Sequence, residues 1–157
     1  MKKAVMMVLA MVVLAFLPGA SMASENTAGL GFGINYGGAI GFNYEYALTE
    51  EIGALAGIGF LPDNIGWAVG ARYYFTTSNP DFRLRVSLIY GVVAAFETSS
   101  GKDDYDLGLA AGFGFNWRFN ELWAIDADIF LTDDNVPEGL SEVGPSAKIS
   151  FGVSRRW

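Results

Sequence analysis

The chain has 157 residues, 52% hydrophobic and 17% charged, and its 17 acidic residues outnumber 10 basic ones. That length supports one domain, and the acid excess argues against nucleic-acid binding, which uses Lys and Arg to neutralise phosphates. With no cysteine there is no disulfide framework, thiolate metal site or lipidated N-terminal cysteine, and histidine is absent too.

Residues 1–23 read as a secretory signal. Lys2 and Lys3 start it, residues 4–17 form an unbroken apolar core, and Ser21, Met22 and Ala23 stand at the cleavage positions. The core is short for a membrane helix, which needs ~20 apolar residues. Removing the two lysines leaves 8 basic and 17 acidic residues, a net charge of −9, over the expected domain at residues 24–157.

Beyond the signal, no run is long enough for a membrane helix, yet apolar residues recur at every second position. Side chains on a strand alternate between faces, so this period marks one apolar and one small-or-polar face. The first strand carries Leu30, Phe32, Ile34 and Tyr36 outward, with Gly29, Gly31, Gly33 and Asn35 opposite, and Gly37-Gly38 is a turn. The second puts Ile40, Phe42, Tyr44 and Tyr46 out, with Gly41, Asn43 and Glu45 in. The third, residues 52–61, alternates less clearly, because Leu55 and Leu61 fall among its inward glycines.

In the fourth, Trp67, Val69, Ala71, Tyr73 and Phe75 oppose Ala68, Gly70, Arg72 and Tyr74. The fifth sets Leu84, Val86, Leu88, Tyr90, Val92, Ala94 and Phe96 against Arg83, Arg85, Ser87, Ile89, Gly91, Val93 and Ala95. A polar loop at 97–106 leads to a hairpin at 107–131, the clearest stretch of the chain. Its odd positions are large and apolar, its even ones Gly, Ala, Asn116, Arg118, Asp126, Asp128 and Phe130, and residues 120–122 turn it. The longest loop, 132–145, precedes the last strand, with Ala147, Ile149, Phe151 and Val153 out and Lys148, Ser150, Gly152 and Ser154 in.

The expectation is an all-β, eight-stranded antiparallel up-and-down transmembrane β-barrel, since an even number of strands can close without an edge. Hairpin arms of about ten residues are long enough for tilted strands to cross a bilayer. With both termini in the periplasm, the two longest loops fall outside. Aromatics then gather in two girdles: Tyr36, Phe60, Trp67 and Phe96 on the outer side, Tyr46, Phe75, Phe82, Trp117, Trp123 and Trp157 on the inner. A soluble lipocalin-like cup reverses the faces, exposing glycine and alanine while crowding the aromatics inside, and is disfavoured for that reason.

The last strand, with Ile149, Phe151, Val153 and the final Trp157, resembles the signal read by the bacterial outer-membrane assembly machinery; Arg155 departs from that pattern. With the Tyr-Tyr-Phe strand end at residues 73–75, the chain resembles small eight-stranded barrels of the OmpA-transmembrane-domain and opacity-protein type. The resemblance implies an outer-membrane location, with membrane lipid, lipopolysaccharide and the assembly machinery as partners. No peptidoglycan-binding domain is expected after the barrel. The chain also lacks the histidine that outer-membrane enzymes of this size set beside a serine or an acid. A non-enzymatic structural or surface-interaction protein without a cofactor is therefore expected, its extracellular ligand left unnamed.

The candidate site lies inside. Glu45, Asp126 and Asp128 face the lumen with Arg72, Arg85, Arg118 and Lys148, and charges in a narrow low-dielectric space are costly unless paired. The resulting network is either a plug or a porin-like gate that admits ions or small solutes. Above it, inward Gly31, Gly33, Gly57, Gly59, Ala68, Gly70, Gly91, Ala95, Gly108, Ala110 and Gly112 leave either a filled space or an apolar cup for a lipophile. Asp103, Asp104, Asp106, Asp133, Asp134, Glu138 and Glu142 make an acidic outer rim. It lacks the ligand spacing of a calcium loop, so no metal site is expected.

Overall fold

The computed structural model describes residues 25–62, 64–75, 78–97, 103–132 and 149–157. The signal segment, Lys148 and the acidic residues of loop 132–145 lie outside them. Eight strands run β1 (Thr27–Gly33), β2 (Gly38–Ala47), β3 (Ile52–Phe60), β4 (Ile65–Tyr74), β5 (Phe82–Glu97), β6 (Asp103–Arg118), β7 (Trp123–Thr132) and β8 (Ile149–Arg156). Each pairs antiparallel with its sequence neighbours, and β1 joins β8 from Thr27 opposite Arg156 to Phe32 opposite Phe151, closing the barrel. Closure satisfies every edge, which is what makes a sheet tenable in hydrocarbon.

The large apolar side chains point outward. Leu131 is 80% exposed, Ile40 70%, and Ile129 and Phe60 68%. That much exposed apolar surface is tolerable only against lipid, and it rules out the lipocalin arrangement. Trp67 packs on Tyr90 towards one rim, with Tyr44 on Trp157 and Phe82 stacked on Phe115 towards the other.

At the termini end, the β2–β3 and β6–β7 turns are short and closed by side chains. Asn120 Oδ1 accepts from the Leu122 and Trp123 amides, both at 2.9 Å, and Thr49 Oγ1 accepts from those of Glu51 and Ile52. Such Asx and Thr turns are why these polar residues interrupt the alternation.

Three expectations are corrected. Ile34 and Tyr36 do not continue β1 outward: Ile34–Tyr36 forms a single 3₁₀ turn folded into the lumen, its residues at most 1% exposed. Tyr36 therefore belongs to the core and leaves the outer girdle. Second, Val93 is an extra residue in β5, where the register shifts between Val92 and Ala94. A bulge reverses parity beyond it, so Ala94, at 1% exposure, rather than Ala95, is buried. Third, β6 begins at Asp103, so Asp103, Asp104 and Asp106 stand on a strand instead of in a loop.

Candidate functional site: the filled lumen

The lumen has two layers. In the termini half, side chains from six strands meet. Arg85 of β5, fully buried, is bidentate to Asp128 of β7, with Nε 2.9 Å from Oδ1 and Nη2 2.6 Å from Oδ2. Its Nη1 also donates to Asp126, which in turn accepts from Asn116 of β6 and Ser154 of β8. Arg72 of β4 donates to Glu45 of β2 at 2.6 Å, and the Tyr74 hydroxyl donates to the same Glu45 oxygen at 2.9 Å. The second Arg72 nitrogen stands 3.9 Å from Asp128. Fork geometry, short distances and extra hydrogen bonds are the conditions under which a buried ion pair holds.

Inward glycines make room for these groups. A Cβ on Gly53 would overlap the Glu45 carboxylate, and one on Gly114 the Asp128 carboxylate. The network residues named from the sequence thus separate into three groups. Glu45, Arg72, Arg85, Asp126 and Asp128 converge, each no more than 4% exposed. Arg118 sits apart at the mouth, 3.7 Å from Glu25 and from Asp81, and Lys148 lies outside the described residues. Strand parity gives a residue's face but not its height, so Arg118 could not be separated from the others by alternation. Tyr74, Asn116, Ser154 and Asn35 complete the network; uncharged, they carry no signal in the sequence that marks them as partners of the ions.

The loop-end half is apolar and packed. Ile34, Leu55, Ala68, Ile89, Val93, Ala110 and Phe130 form one cluster, none more than 3% exposed. The lipophile cup is thereby corrected: the 3₁₀ turn and Phe130 occupy its space. The surrounding glycines are a mould for that turn. Cβ atoms on Gly41 and Gly59 would meet the Tyr36 carbonyl, one on Gly57 the Asn35 carbonyl, and ones on Gly31 and Gly152 the Tyr36 ring. Gly33 (φ +93°) and Gly37 (φ +71°) take the chain in and out through conformations that suit glycine.

Asn35 ties the layers together. Its side-chain amide donates to Asp128, and its backbone amide donates to Ser150 Oγ at 3.1 Å. The Tyr36 hydroxyl, in contrast, is buried without a hydrogen-bond partner among the described residues. Tyr36→Phe removes that unsatisfied group and keeps the ring, so it should raise stability by about 1 kcal/mol. The urea midpoint of the refolded barrel reads this directly.

A closed up-and-down barrel with an apolar exterior and a packed, partly ionic interior defines the class: a small transmembrane β-barrel. Among solved structures, the N-terminal β-barrel domain of OprF from Pseudomonas aeruginosa is similar, at 17% identity and a TM-score of 0.54, covering 88% of this chain and all of that one. The chain has the fold of that eight-stranded domain. No protein-family model matches it, and no curated protein does.

Proposed function

We propose that the chain is an integral outer-membrane barrel, exported by its signal segment, that acts without catalysis as a structural or surface-interaction protein. One observation carries this reading: the described lumen is filled twice over, by the ionic network and by the inserted 3₁₀ turn. A barrel whose interior serves as its core presents its loops and rim to partners and needs no conducting path. The exposed apolar belt suits outer-membrane lipid and the lipid portion of lipopolysaccharide. The alternating face of β8, with Ile149, Phe151, Val153 and Trp157 all exposed, suits recognition by the assembly machinery.

The second reading is a gate. The Arg72 Nε and Nη2 atoms are buried without hydrogen-bond partners among the described residues, so Arg72 has spare donors with which to exchange Glu45 for Asp128. Planar-bilayer recording of the refolded chain beside Arg72→Ala separates the two readings. A silent parent and a silent variant are expected. Discrete channels in the parent, altered by Arg72→Ala, would overturn the sealed-barrel reading in favour of the gate.

A further inference from the structure

The termini end of the barrel opens into a polar recess of about 270 Å³, whose floor is the network's outer edge at Glu45 and Tyr74. Of the six arginines in the chain, Arg72 and Arg85 are spent inside, and Arg155 is exposed on the outward face of β8. The other three, Arg83, Arg118 and Arg156, line this recess. Arg156 is committed, with Nη1 2.6 Å from Glu25 and Nε on the Glu121 carbonyl.

Arg83 differs from every other lumenal arginine. Its guanidinium lies 4.0 Å over the Tyr74 ring, and it forms no ion pair with a described carboxylate. Its Nε is buried and makes no hydrogen bond among the described residues, and the same holds for Nε of Arg118. The two are diagonal neighbours: Arg83 pairs across the β5–β6 ladder with Asn116, and Arg118 is two residues further along the same face. That diagonal places their Cβ atoms roughly 7–8 Å apart, within reach of one shared ligand for side chains of this length.

Among the described residues, the acids nearby leave Arg83 without an ion pair and hold Arg118 only at 3.7 Å. Glu45 is held by Arg72 and Tyr74. Glu25 is held by Arg156, with Arg118 only at 3.7 Å. Asp81 also stays at 3.7 Å, and Glu50 is exposed at the rim. Contact with the Tyr74 ring, 4.0 Å from the guanidinium carbon, holds Arg83 at the recess wall while its N–H groups keep their capacity to donate.

We propose that this recess binds a small oxyanion, the phosphate or carboxylate group of a solute, between Arg83 and Arg118. Guanidinium forks match both groups, and a recess of about 270 Å³ holds a small solute. The proposal does not depend on which compartment the recess faces, so it can fail independently of the outer-membrane reading.

The test follows the arginine Nε–Hε resonances of the refolded chain in detergent micelles. Inorganic phosphate or acetate is titrated against chloride at matched ionic strength. The Arg83 and Arg118 signals should shift and saturate, and Arg83→Gln should weaken the half-saturation point at least tenfold. Arg83→Lys, which keeps the charge and loses the fork, should fall between them, and Arg155→Gln should leave binding unchanged. Shifts that never saturate, or that Arg155 shares, mean screening alone and overturn the proposal. So does a half-saturation point that Arg83→Gln leaves unchanged.

Discussion

Arg85→Ala should lower the unfolding free energy of the barrel by about 3–5 kcal/mol, the range for removing one partner from a buried pair. Arg85 is fully buried and is the cation on which both Asp126 and Asp128 depend. Its loss leaves two carboxylates, themselves 3% and 2% exposed, with hydrogen bonds among the described residues only from Asn116, Ser154 and Asn35. Arg72 does not remove the deficit, because its close contact is with Glu45, its approach to Asp128 is 3.9 Å, and a shift towards Asp128 would strand the Glu45 carboxylate instead.

Urea unfolding in lipid vesicles, followed through the chain's four tryptophans, measures the loss. The triple variant Arg85→Met, Asp126→Asn, Asp128→Asn separates two explanations. If the single change is costly because it strands charge, neutralising the carboxylates with it should return stability close to the parent. If Arg85 matters mainly through the volume it fills, the triple variant should be no better than Arg85→Ala. A loss under about 1 kcal/mol in the single variant would mean that the network is solvated and the pairing argument fails.

Strands and faces were legible because lipid on one side and a narrow lumen on the other impose period two on almost every residue. Leu30, Phe42, Ile58, Leu88, Phe113 and Phe151 all read outward and are exposed. Parity misled where the chain left the ladder without leaving the pattern. Ile34 and Tyr36 extend the spacing of Leu30 and Phe32, so nothing in the alternation marks the inward turn. A signal did exist elsewhere: Gly31, Gly41, Gly57, Gly59 and Gly152 crowd the same level on four different strands, a void that something must fill. At Val92-Val93-Ala94-Ala95 both parities are apolar, and a one-residue bulge is invisible in such a run. The ionic residues were legible as a set, but their pairing was not, because it depends on the height of each side chain in the barrel and on Asn35 arriving from the turn.

Gly41→Val should expel the 3₁₀ turn from the lumen. A side chain at position 41 meets the Tyr36 carbonyl and, on the other flank, the Ile58 carbonyl and the Gly59 Cα, all backbone. Backbone on both sides cannot rotate away, whereas the turn hangs on two glycines and can leave. Leaving takes Ile34 and Tyr36 out of the core, and at about 1.5–3 kcal/mol for each large side chain the expected loss is roughly 3–6 kcal/mol. The absence of native cysteine allows a direct readout. Ala110 is fully buried in the layer beside the turn, so Ala110→Cys should resist a water-soluble thiol reagent in the parent and react at least a hundredfold faster in the Gly41→Val background. Heat-modifiable gel mobility confirms that both barrels are closed before labelling. The ionic layer beneath should still block current, because Arg72, Arg85 and their carboxylates do not depend on the turn for their main contacts. Fast labelling without conductance therefore identifies two seals in series. Slow labelling in a folded Gly41→Val barrel would mean that the wall yields instead, and that the turn is built into the core more firmly than its glycine hinges suggest.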